Sequence, residues 1–95
     1  MPAYIIAELE VTDPAGFEEY RKAVPATIAA YGGRYLARGG ALESLEGGWS
    51  PKRMVILEFP SMAQAKAWYA GVEYRDLLAV RQRTTRSKVV LLEGL

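Results

Sequence analysis

The chain contains no cysteine and no histidine. The first absence rules out disulfides, thiolate nucleophiles and cysteine-ligated metals. The second removes the commonest general base and the commonest metal ligand. Any catalysis must rest on carboxylates, tyrosines, arginines or a bound cofactor, and neither a metal nor a cofactor is expected. A dominant charge is lacking too: the net charge is +1 and the pI about 8.0. Such a chain generates no field that would collect nucleic acid or an anionic membrane. The modest basic run Arg81, Arg83, Arg86 and Lys88 reads as a solvated face, because no aromatic RNA-binding strand motif accompanies it. No stretch reaches the roughly 18 apolar residues of a membrane span. The opening MPAYIIAELEV lacks a basic leader and is broken by Glu8. A cytoplasmic location is therefore expected.

What is present is apolar residues, 51% of the 95 positions, against 24% charged. The length fits one domain spanning 1–95. A chain this short buries only about 60–65% of its unfolded surface. Apolar side chains that its small core cannot absorb point to a subunit interface.

Residues 4–11, YIIAELEV, form a strand candidate. Ile5, Ala7, Leu9 and Val11 share an apolar face, while Tyr4, Ile6, Glu8 and Glu10 share the other. Asp13 and Pro14 suit an N-cap and the first position of a helix. Phe17, Tyr20, Val24, Ile28 and Tyr31 give that helix one apolar stripe. Pro25 inside it is expected to kink it, and Gly32-Gly33 to end it. RYLAR and ALESLE read as one long strand interrupted by Gly39-Gly40, with a bulge at the glycines. Gly47-Gly48 and Trp49-Ser50-Pro51 read as a hairpin turn. A third strand covers 52–59, with Val55, Leu57 and Phe59 alternating against Met54, Ile56 and Glu58. Ser61 caps a second helix, interrupted at Gly71 and resuming with Tyr74, Leu77, Leu78 and Arg81 on one stripe. SKVVLLE, 87–93, is the last strand.

The order β-α-β-β-α-β predicts a ferredoxin-like α+β fold: a four-stranded antiparallel sheet with two helices on one face. The other face holds Ile6, Ile56 and apolar residues of the last strand, and nothing remains to cover it. A second copy of the chain, sheet against sheet, is the simplest cover.

YIIAELEVTDP, FEEY, YGGRYLARGG, LEG, KRMVILEF, AWYAGVEY and Arg81 together carry a family resemblance over about residues 4–81. In these pieces the chain resembles the bacterial family called domain of unknown function 1330. The resemblance implies a dimeric α+β barrel with a pocket and brings no reaction with it. Gly71 stands where that family usually has serine, and Val72 where proline is common. If that serine contacts a ligand, this chain lacks the contact.

No phosphate-loop pattern is present among the glycines. Gly39-Gly40 either builds a bulge or lets another group approach the backbone closely. A bulge beside Arg38 would re-aim its guanidinium into a cleft, where it can grip a carboxylate. Arg81 lies on a helix stripe and Arg53 on the apolar face of its strand. Burying either demands a partner, with Glu46 and Glu58 the obvious acids. Glu8 and Glu58 share the outer face, where acids more often pair with arginines than act as acid and base. Trp68, Tyr69 and Tyr74 surround the break at Gly71, either as core or as the mouth of a pocket.

The candidate ligand-binding residues are thus Arg38, Arg53, Glu58, Trp68, Tyr74 and Arg81. The preferred expectation is a homodimer binding a small organic molecule, an anion among the options, between sheet and helices. One alternative is a small cofactor-independent oxygenase, isomerase or cyclase using Glu58 or Glu8 as base. The other is a protein-interaction module that uses the uncovered sheet face.

Overall fold

The computed structural model describes residues 1–95. Strand β1, Ala3–Val11, alternates buried and half-buried positions from Ala3 to Leu9, as its period-two pattern requires. Helix α1, Pro14–Ala30, begins where Asp13 accepts a hydrogen bond from the Gly16 N–H at 3.2 Å. Phe17, Tyr20, Val24 and Ile28 are its buried stripe, and the helix continues through Pro25 rather than stopping there. Strand β2, Arg34–Arg38, follows, and β3 spans Arg53–Phe59. The second helical run is divided. Helix α2, Met62–Ala70, starts at Ser61, whose hydroxyl accepts from the Gln64 N–H, and α3, Val72–Thr84, resumes after Gly71. Strand β4, Thr85–Glu93, leaves α3 directly and starts two residues earlier than its sequence pattern indicates.

The strands form one sheet in the order β2-β3-β1-β4, with every neighbouring pair antiparallel. This is the ferredoxin-like arrangement. The core lies between the helices and the inner sheet face, where Ala3, Ile5, Ala7, Leu9, Leu57 and Phe59 meet Phe17, Tyr20, Val24, Ile28, Trp68 and Tyr74. On the outer face, Tyr4 stands beside Leu92 and Ile6 beside both Ile56 and Val90. Charged pairs Glu8/Lys88 and Glu10/Arg86 continue that face toward the end of β1. No helix of the chain is long and apolar enough to cross a membrane.

ALESLE is not a strand. Residues 41–46 are irregular and exposed, and β2 ends at Arg38. Leu42 and Leu45 are three residues apart, so the segment offers no alternating apolar face to a partner strand. Gly47 and Gly48 do turn the chain with positive φ, but inside a long loop rather than a tight hairpin. The bulge also sits elsewhere than at the glycines. Tyr35 pairs with Leu57 and Ala37 with Ile56, so Leu36 is the extra residue.

The break between α2 and α3 is held by the Tyr31 hydroxyl, which donates to Glu73 Oε1 at 2.6 Å. That bond lowers the Glu73 pKa and raises that of Tyr31. A Cβ at Gly71 would stand 2.6 Å from the same hydroxyl. A side chain at position 71 would therefore crowd the Tyr31–Glu73 tie.

Candidate functional site

The bulge at Leu36 decides what β2 presents to the interior. In a regular strand Tyr35 and Ala37 would share a face. With one extra residue between them, Tyr35 stays opposite inward-facing Leu57, and Arg38 comes opposite inward-facing Val55. Tyr35 and Arg38 both reach the helix side, and the Arg38 guanidinium lies 4.6 Å from the Tyr35 ring centroid. This is a favourable cation–π distance.

Gly39 comes next, with φ of +69° and its N–H donating to the Met54 carbonyl at 2.9 Å. A Cβ built on it would collide with the Arg53 guanidinium, standing 2.8 Å from Cζ. The group that approaches this backbone closely is thus a side chain of the protein's own β3. Arg53 pairs with Leu9 of β1 on the inner face. Its Nε is buried and has no hydrogen-bond partner.

Arg81 enters from α3. It is only 5% exposed, yet no carboxylate reaches it. Its Nε donates to the Tyr74 hydroxyl at 3.2 Å, and its other nitrogens reach Ser87 Oγ and the Tyr69 hydroxyl. Burial opposes its charge, the phenols of Tyr74, Tyr20 and Tyr69 outweigh that, and its pKa lies above the ordinary guanidinium value. The Tyr74 hydroxyl also shares a 2.8 Å hydrogen bond with that of Tyr20. Burial first, then the adjacent Tyr74, drives the Tyr20 phenol well above its usual pKa.

These groups surround a cavity of about 50 Å³ between sheet and helices. Its 17 lining residues comprise 13 hydrophobic ones and four arginines: Arg21, Arg38, Arg53 and Arg81. No aspartate or glutamate lines it. Arg21 is neutralised by exposed Glu18 at 2.8 Å, whereas the other three have no ion-pair partner. Trp68 forms part of the wall and stacks on Tyr74, with centroids 4.1 Å apart. Its indole N–H donates to Thr27 Oγ1 at 3.0 Å, tying α2 to α1.

Of the six candidate residues, Arg38, Arg53, Trp68 and Arg81 line this cavity. Tyr74 stands behind it, joined to Arg81, Tyr20 and Trp68. Glu58 is not with them. It lies on the outer face, where it accepts from Arg34 Nε at 2.8 Å. Glu8, also on the outer face, accepts from the Trp49 indole at 3.2 Å. The two acids are four positions apart in register, since Tyr4 pairs with Glu58 and Glu8 with Met54. They form no carboxylate dyad, and neither Glu46 nor Glu58 serves Arg53 or Arg81. Spacing along the chain gave no sign of Tyr20 on α1 or Tyr35 on β2 as site neighbours, whereas Tyr69 was marked by its place at the Gly71 break. The reach of Tyr35 depends on a bulge that no sequence pattern marks.

The family model for a domain of unknown function, DUF1330, matches residues 2–95. The chain belongs to the DUF1330 family. DUF1330 carries no assigned activity in its description. No protein of curated function matches the chain. Among solved structures, the RPA0582 protein of unknown function from Rhodopseudomonas palustris is similar, with TM-score 0.80 and 18% identity over 99% of this chain and 82% of that one. SnoaB, a cofactor-independent oxygenase from Streptomyces nogalater, superposes with TM-score 0.71 and 15% identity, covering 99% and 93%. A dimeric ferredoxin-like protein of unknown function from Thermobifida fusca gives TM-score 0.67 and 19% identity, covering 99% and 92%. At these identities the likeness is one of fold. The DUF1330 chain shares the architecture of ferredoxin-like dimers and of the SnoaB barrel.

Proposed function

We propose that this protein works as a homodimer that binds a small organic molecule in the cavity between sheet and helices. The observation that carries the reading is the cavity lining: apolar and aromatic walls with a few arginines that no acid neutralises. Ligand sites typically combine such walls with a few polar groups that set orientation. The cavity of about 50 Å³ has room for one or two waters. A larger guest would enter from the side of Arg38 and Tyr69, which are both exposed lining residues. The dimer reading is supported by the uncovered apolar outer face and by dimeric neighbours of the same fold.

SnoaB shows that this fold can carry cofactor-independent oxygenation. An enzyme reading based on Glu8 or Glu58 as base is less well supported, because both acids lie across the sheet from the cavity. Binding is therefore preferred over turnover.

Filling the cavity separates ligand binding from mere packing. Ala7 lines the space, and valine there would occupy much of it. At about 24 cal/mol per Å³ of void, the gain is at most roughly 1 kcal/mol. Ala7→Val is expected to melt at the same temperature as the parent or slightly above it. It should also lose the thermal shift that a panel of one-ring organic compounds gives the parent. A shift retained in Ala7→Val would place the binding outside this cavity.

A further inference from the structure

The reading above leaves the chemical class of the guest open, and the arginines narrow it. Three of them, Arg38, Arg53 and Arg81, reach one small cavity without a carboxylate in range. Arg81 has hydroxyl partners, and Arg38 has the face of Tyr35. Arg53 has neither on its inner nitrogen: Nε is buried and unbonded, a state that costs free energy in an empty site. Its guanidinium is nevertheless held in place. It lies against Gly39, whose positive φ and missing Cβ make the room for it. Arg38 is its diagonal neighbour across β2 and β3, a spacing that long side chains can span.

We infer that the cavity takes a small carboxylic acid, with its carboxylate on Arg53 Nε and Arg38 and its apolar body against Ile5, Ala7 and Val55. This rests on the cavity being the binding site. A carboxylate supplies the acceptor that Arg53 lacks and relieves the repulsion among the three cations. The apolar walls select an acid with an alkyl or aryl body over an inorganic anion.

Phenylacetate and its neutral isostere phenylacetamide test this, titrated into the full chain by calorimetry at constant chloride, with sulfate as the inorganic control. The acid is expected to bind at least tenfold more tightly than the amide, and sulfate not to compete with it. Arg53→Met should remove that preference, so that acid and amide bind within about twofold of each other. Gly39→Ala, which displaces the guanidinium but keeps its charge, should reduce acid binding by a similar factor. Equal binding of acid and amide by the parent overturns the inference and leaves the cavity reading intact. Binding of neither overturns the cavity reading itself. Sulfate competing as strongly as the acid replaces an organic acid with an inorganic oxyanion. The comparison within the parent chain decides even if Arg53→Met fails to fold.

Discussion

Val90→Lys should convert the proposed dimer to monomers while leaving the protomer folded. Val90 is 59% exposed on the outer face of β4, opposite Ile6. In an isolated protomer, lysine there meets water, and its effect on folding stays within about 0.5 kcal/mol. In a dimer packed sheet against sheet, each of two symmetry-related lysines would lose its water at the apolar Ile6/Val90 patch. A combined cost of about 4 kcal/mol or more raises the dissociation constant at least about 1000-fold. Sedimentation at micromolar concentration should give half the parent's mass, and the melt should remain cooperative. A dimer that survives Val90→Lys unchanged would place the interface elsewhere. A parent that is monomeric at those concentrations would favour the interaction-module alternative.

Trp68→Ala carries the largest expected loss of stability. Trp68 is 2% exposed and joins two elements at once. Its ring packs on Tyr74 and Phe59, with centroids 4.1 and 5.5 Å away, and its N–H reaches Thr27 on α1. Truncating such a side chain costs about 3–5 kcal/mol. For a domain this small, with about 5–14 kcal/mol in total, that is a large share. The melting temperature should fall by more than about 15 °C. Trp68→Phe keeps a ring against Tyr74 and drops only the hydrogen bond, so about 1–2 kcal/mol is expected. Thr27 Oγ1 still donates to the Val24 carbonyl at 2.8 Å, so it is not left unbonded. Denaturant melts of both variants check the ratio. Comparable losses would mean that the hydrogen bond, rather than the aromatic stack, holds α2 in place.

The fold was legible wherever a period carried it. The alternation in β1 named its inner residues, and the stripe of α1 named Phe17, Tyr20, Val24 and Ile28. The reading failed where geometry depended on a single residue. Leu36 is a bulge because of its register against β3, and nothing local distinguishes it from a paired residue. The glycines drew attention to the right place for an incomplete reason: Gly39 makes space for Arg53 instead of forming the bulge. Of the residues that line the cavity, the arginines stood out in the sequence, since charges on apolar faces break the pattern. Glu58 was drawn into it by the expectation that a buried arginine needs an acid. Arg81 instead uses phenols and a serine, and Arg34 takes Glu58.

The chain has two tryptophans, and they report on opposite sides of the sheet. Trp68 borders the cavity, while Trp49 sits on the loop and donates to Glu8 on the outer face. In a nitrogen-15-labelled sample their indole N–H signals are separate reporters, assigned through Trp68→Phe. On titration with phenylacetate, the Trp68 signal should move progressively and saturate while the Trp49 signal stays fixed. Movement of Trp49 alone, or an unmoved Trp68 at saturating ligand, would contradict binding between sheet and helices.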